Sequence, residues 1–278
     1  MQQNLLQKGL VGLTALVLTG AAVVPNHASA SVTPTAITTV ATADTSPAAP
    51  DAAPDAAPDA APAASPLATV TRHAVDALAA IVRPLSHPRA LDDAFHSYYA
   101  YKALHPDQVR KPYLYFVDYG LPSTTPRGYV FDMNTLKIVE GPFTVAHGRG
   151  SSTSQYGVPT RFSNALGSAA TSLGLYVARA TYAFTGHAGG RVYSALGLRL
   201  DGVSDGFNDH ALARGVVAHG APYVTQDKAG RSQGCPAMEP SRAERLLPKL
   251  ADGGMVFLFA PDPNWLTHDE WVANTGSE

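Results

Sequence analysis

Apolar positions change period twice along the chain. Between Leu67 and Leu104, Val75, Leu78 and Val82 recur at i, i+3 and i+7, the spacing of one helical face, and Pro84 closes that helix. Pro88 suits a first helical turn, and Asp92 and Asp93 suit a helix N-terminus. Leu91, Ala94, Phe95, Tyr98 and Tyr101 then mark the face of a second helix, which reads as packing on a core. From Lys111 the pattern shortens to strands: Tyr113 to Val117, Tyr129 to Phe131, Ile138 to Ala146, Leu175 to Ala180, Val216 to Ala218 and Met255 to Phe259. Leu196, Leu198 and Leu200 alternate with Gly197 and Arg199, as in a half-exposed strand. Glycine- and proline-rich turns separate these runs, which predicts a mainly β sandwich or barrel with a few helices, preceded by a small helical segment. One clear helix is expected in this half, Ser241 to Leu250, with a Ser241–Glu244 capping box and Leu246, Leu247 and Leu250 inward. The stretch Gly148 to Ser172 is long, polar and dotted with glycine, the pattern of a functional or disordered loop.

The N-terminal part carries no such periodicity. Lys8, an apolar run from Leu10 to Val24 and Ala28-Ser29-Ala30 predict a signal peptide over residues 1–30. The run is shorter than the roughly twenty residues a spanning helix needs. Residues 31–66 repeat Asp-Ala-Ala-Pro from Asp51 to Pro62, which predicts an extended tether without core residues. The expected organisation is then a helical segment over 67–107, a catalytic domain over 108–263 and a tail over 264–278. The signal sequence predicts export, and the expected state is a monomer.

Among 278 residues the net charge is −2, which points away from nucleic acid as a partner. Cys235 is the only cysteine, so no intramolecular disulfide can form. It sits in Arg231-Ser232-Gln233-Gly234-Cys235-Pro236, a polar, turn-forming setting unlike that of an inert buried thiol. Cysteine attacks as the thiolate and calls for a neighbouring base. His219-Gly220 ends a short β-branched run sixteen residues upstream, so His219 is the expected base and Cys235 the expected activated thiolate, with a lowered pKa. The Gly234 and Cys235 amides are the natural oxyanion donors. Ser232, Gln233 and Arg231 are candidate supporting contacts, and His147, in a second strand-end His-Gly pair, is a candidate site-lining group. His187, Tyr193 and His210 lie in predicted loops within reach of a ligand. A zinc site from His147, His210, His219 and Cys235 competes, but their spacings match no metal motif, so no metal and no cofactor are expected.

These residues resemble the murein L,D-transpeptidase catalytic-domain family of exported bacterial cell-wall enzymes. The resemblance runs from about Ala90 to Pro263. It rests on Ala94–Tyr101 with Lys111-Pro112-Tyr113-Leu114, Val145-Ala146-His147-Gly148-Arg149, Leu198-Arg199-Leu200-Asp201-Gly202 and Gly206-Phe207-Asn208-Asp209. It continues in His219-Gly220-Ala221 and Ser232-Gln233-Gly234-Cys235-Pro236-Ala237. It implies a β-sandwich-like catalytic domain acting on peptidoglycan stem peptides. In it Cys235 acylates at the L-centre of diaminopimelate, releases D-alanine and passes the acyl group to an amine of another stem or of a protein. It further implies His219 as base, the Gly220 carbonyl orienting its ring, and acylation by carbapenem-type inhibitors. The better-known branch of the superfamily has His-Gly-Cys followed by a residue and Arg or Asn. Here Gln233-Gly234-Cys235 is followed by Pro236-Ala237. Water in place of the amine would make an L,D-carboxypeptidase or amidase; an unused thiol would leave a wall-binding protein.

Overall fold

The computed structural model describes residues 64–273 and 275. The expected signal peptide and nearly all of the expected tether lie outside these residues. No helix among them is long and apolar enough to cross a membrane.

Helix α1 (Pro66–Leu78) starts where Ser65 accepts a hydrogen bond from the Ala68 amide at 3.1 Å, with Pro66 in the first turn, where its missing N–H costs nothing. Its buried face is Thr71, Ala74 and Leu78, with Val75 half-buried; the helix ends at Leu78 and passes into a 3-10 turn over Ala79–Ile81, so Val82 lies beyond it in extended backbone. Helix α2 (Ala90–Leu104) buries Leu91, Ala94, Phe95, Tyr98 and Tyr101, the face its spacing predicts. Phe95 meets Phe131 edge-to-face at 5.3 Å, so the helical segment and the sheet share one core.

Ten strands follow: β1 (Tyr113–Asp118), β2 (Gly128–Asp132), β3 (Lys137–Phe143), β4 (His147–Gly148), β5 (Gly174–Ala188), β6 (Arg191–Gly202), β7 (Val217–Gly220), β8 (Arg231–Ser232), β9 (Ala237–Met238) and β10 (Met255–Phe259). Eight form one sheet in the order β3-β2-β1-β10-β5-β6-β7-β9, and β4 pairs with β8. The β1–β10, β7–β9 and β4–β8 pairs are parallel and the other neighbours antiparallel. β1 is buried except at Tyr113, and β10 throughout, so helices cover both faces. α2 packs on β1 and β10, and α4 (Pro240–Leu250) packs on β1, β5, β6 and β7. Beyond β3, the Ala146 amide donates to the Ala237 carbonyl of β9 at 2.8 Å, so the sheet curls until its two ends meet. The result is the mainly β architecture the strand pattern predicts.

Three expectations are corrected. The Ser241–Glu244 capping box does not form: α4 begins at Pro240, and Ser241 Oγ instead donates to Glu239 Oε1 at 3.2 Å. Leu246, Leu247 and Leu250 still point inward. The strand expected at Leu175–Ala180 runs on to Ala188 and returns as β6, because hydrogen bonding between the two carries a half-exposed hairpin past the apolar core. Residues 263–273, placed mostly in the expected tail, pack on the core: α5 (Pro263–His268) buries Trp265, whose indole donates to Asp269 at 2.7 Å, and Val272 is fully buried.

Candidate active site

The turn carrying Cys235 is gripped from both sides by strand pairs. Ahead of it, β8 pairs with β4, setting His147 opposite Arg231 and Gly148 opposite Ser232. After it, β9 pairs with β7, setting His219 opposite Ala237 and Gly220 opposite Met238. Both His-Gly dipeptides therefore hold the cysteine turn. A side chain on Gly148 would stand 2.8 Å from the Gly234 Cα and 2.4 Å from the Ala169 carbonyl, so the strand touches the turn through bare backbone. Gly234 has φ +125°, open only to glycine, and a Cβ there would meet the Ala170 carbonyl at 2.8 Å. Ser232 Oγ accepts from the Gly234 amide at 3.1 Å and donates to the Cys235 carbonyl at 2.7 Å, tying the turn internally. The loop 148–172 is ordered. It closes on itself through Gly150–Ala169, Thr160–Ser151 and Ser163–Thr171 backbone bonds, which bring its far end against Gly234.

His219 is 2 % exposed and stacks on Phe184 at 4.2 Å between centroids. Its Nδ1 lies 2.9 Å from the Gly220 carbonyl. A carbonyl only accepts, so Nδ1 carries the proton and Nε2 keeps its lone pair. Burial pulls its pKa down to about 4, only partly opposed by the Gly220 contact, so the ring is neutral near pH 7. Cys235 is half-buried, with Sγ 4.0 Å from the Gly215 carbonyl. Burial raises its thiol pKa above the ordinary value, against opposing contributions from the Val217 amide and the Arg214 guanidinium. Burial thus works against the expected resting thiolate with a lowered pKa, and it keeps the His219 ring neutral. Both groups line one cavity of about 320 Å³. Among the described residues the thiol makes no hydrogen bond to His219.

The remaining candidates divide. Ser232, Gln233 and Arg231 line the same cavity, as do His187 and Tyr193. Arg231 Nη1 donates to the Ser152 carbonyl at 2.9 Å, and Gln233 Oε1 accepts from Arg149 at 2.8 Å. The Gly234 amide is committed to Ser232, which takes it out of the expected oxyanion pair; the Cys235 amide has no partner among the described residues. His147 does not line the cavity. It is fully buried with Nδ1 3.1 Å from Arg127 Nη2, and its pKa falls to about 3 through burial and then through the Arg127 charge. Arg127 is itself fully buried, stacked on Tyr119 at 4.7 Å and donating to the Val145 and Leu121 carbonyls. His210 is exposed beside Asp209 at 3.5 Å and is absent from the cavity wall. Among the described residues no three His, Cys, Asp or Glu side chains gather as a metal site. Sequence reasoning missed Phe184 and Tyr223, which wall the cavity, and Arg214 and Gly215, which flank the thiol. Arg214-Gly215 immediately precedes the His219 strand, and that adjacency was the available signal.

No curated protein matches the chain. Among solved structures, an L,D-transpeptidase from Mycobacterium smegmatis aligns at 16% identity and TM-score 0.33, covering 54% of this chain and 59% of that one. The LD transpeptidase LdtMt1 in complex with imipenem aligns at 15% identity and TM-score 0.34, covering 53% of this chain and 59% of that one. The chain thus spans less than two thirds of either structure. The family model of the L,D-transpeptidase catalytic domain matches residues 84–259, more than half of the sequence, and the chain belongs to that family.

Proposed function

We propose that the protein is a cysteine acyltransferase of peptidoglycan, an L,D-transpeptidase acting outside the cytoplasm, in the periplasm or at the cell wall. The observation that carries this reading is the gripped Cys235 turn sharing a cavity with His219, whose Nε2 is the unprotonated nitrogen. With both groups neutral at rest, the thiol proton passes to Nε2 as sulfur attacks the carbonyl of the diaminopimelate–D-alanine amide. The hydrogen bond needed for that transfer forms with substrate in place, as apo catalytic contacts often tighten only then. The Cys235 amide, free of intramolecular partners among the described residues, donates to the developing oxyanion. The C–N bond breaks, the leaving amine takes the proton from the His219 imidazolium, and a thioester remains on Cys235. An amine of a second stem or of a protein then attacks the thioester and gives its proton to His219; the C–S bond breaks, and the departing sulfur takes that proton from the imidazolium to restore the thiol. Gly220 fixes the ring by its carbonyl, Ser232 fixes the turn, and Arg231 and Gln233 present polar groups to the stem.

Incubation with a tetrapeptide muropeptide, read by mass spectrometry, tests this. One acyl adduct per chain on Cys235 and a crosslinked dimer are expected, with neither formed by Cys235→Ala. A carbapenem is expected to give one adduct on the same thiol. Full transpeptidation by Cys235→Ala would refute the nucleophile, and release of D-alanine without transfer would make the acceptor water.

A further inference from the structure

Cys235 stands on the border of two cavities. Beside the one it shares with His219, a second of about 350 Å³ opens on its other side, between Arg214-Gly215 and the Leu166–Ala169 end of the long loop. Gly215 and Gln233 border both. The second cavity has a distinct chemistry. Apart from the thiol, Arg214 is its only ionisable lining residue, and no carboxylate lines it.

Arg214 is held firmly but without a counter-charge. Nη1 donates to Ser172 Oγ at 3.1 Å, and Nη2 donates to Ser168 Oγ at 3.2 Å and to the Ala170 carbonyl at 2.7 Å. All three acceptors are neutral, and Arg214 joins no salt bridge among the described residues. A guanidinium has five N–H donors, so two are left. A half-buried guanidinium fixed by neutral partners, with donors to spare, is arranged to receive a carboxylate in a charge-assisted contact.

The proposed reaction supplies such a carboxylate twice, and this step rests on that reading. The group that leaves when the thioester forms is D-alanine, an amine whose adjacent carbon bears a carboxylate. The diaminopimelate D-centre that attacks next is of the same kind. Its nitrogen must arrive where the first departed, because the new C–N bond forms at the carbon where the old one broke. The geometry points to Arg214 as a specificity-determining residue: it receives the α-carboxylate of the amine that leaves Cys235-bound carbonyl carbon and of the amine that replaces it. Acceptor choice is thereby narrowed, within the stem and protein amines of the proposed reaction, to those carrying a carboxylate on the neighbouring carbon.

The test compares isotope-labelled D-alanine, whose transfer would otherwise only rebuild the donor unseen, with D-alaninamide as acceptors toward preformed acyl-enzyme from a tetrapeptide donor, so that the acylation step drops out. The wild type is expected to show the lower KM for D-alanine. Arg214→Gln should raise that KM about tenfold or more, the range of one lost charge-assisted contact, and leave the KM for D-alaninamide unchanged. Arg214→Lys should recover part of the preference. Alkylation of Cys235 by neutral iodoacetamide and the thermal midpoint report whether the turn and the fold survive in each variant. Equal losses with both acceptors would make Arg214 a brace for the loop and overturn the assignment, as would an unchanged preference in Arg214→Gln. If the wild type forms no acyl-enzyme at all, the transpeptidase reading itself fails and this one falls with it.

Discussion

The chain carries the same dipeptide, His-Gly, at the end of two short strands, and the two copies have opposite chemistry. His147 and His219 each sit on a strand that pairs in parallel with a segment beside Cys235. His147 faces Arg127, which can only donate, so Nδ1 accepts and the proton sits on Nε2, a buried donor without a partner among the described residues. His219 faces its neighbour's carbonyl, which can only accept, so the proton sits on Nδ1 and Nε2 is left as a base. Burial keeps both neutral, at about 3 and about 4. What separates a structural histidine from a candidate base is therefore the single partner of Nδ1 and the cavity beyond the ring. Strand position and residue type are shared.

The largest expected contrast is in rate. His219→Ala should lower acylation of Cys235 by about 10²–10⁴-fold, the range of general-base contributions, whereas His147→Leu should lower it far less. Stopped-flow acylation by a carbapenem measures both, and comparable losses would dissolve the contrast. Next comes Arg127→Met, which strips the donors from the buried Val145 carbonyl and the half-buried Leu121 carbonyl and should cost about 3 kcal/mol or more in urea unfolding. A loss below about 1 kcal/mol would show that the guanidinium is not what holds His147 and the floor of the turn.

The pH dependence of stability follows in size. Each histidine has a folded pKa below its unfolded value of about 6.5, so between these values the unfolded state binds more protons. The stability contributed is fully present above about pH 6.5 and is lost as pH falls toward about 4 for His219 and about 3 for His147. Asp93, Asp118 and Asp269, raised by burial, act in the opposite sense as pH rises through their folded values. The difference between proteins isolates the histidine: His147→Leu should flatten the slope between pH 6.5 and 4 by up to about 1.4 kcal/mol per pH unit. An unchanged slope would mean that His147 titrates normally in the folded protein. The smallest effect is expected from Gly148→Ala, about 1–3 kcal/mol, because the added methyl must displace the Ala169 carbonyl and Gly234. The same shift should slow acylation, since Gly234 adjoins the thiol.

The sequence made some of this contrast visible and hid the rest for physical reasons. Period alone found α2 and the buried strands, since their side chains face a continuous core. The sequence also marked Cys235 and His219 as candidates, because a lone cysteine in a glycine turn and a strand-end histidine are local signals. It left His147 as a candidate site-lining group, because the partner that decides its role, Arg127, lies twenty residues away on another turn. The two-residue strands β4, β8 and β9 carry no period at all; they exist only through pairing across the chain. The thiol's raised pKa was hidden likewise, because burial of a polar-looking segment depends on α3 (Ala211–Arg214) and the loop 148–172 closing over it.

The most direct test of the opposed roles is ¹⁵N NMR of the two imidazoles, assigned with His147→Leu and His219→Ala, across pH 5 to 8. The account predicts two neutral rings throughout, His219 protonated on Nδ1 and His147 on Nε2. A His219 ring protonated on Nε2, or one that becomes an imidazolium near pH 6.5, would contradict it.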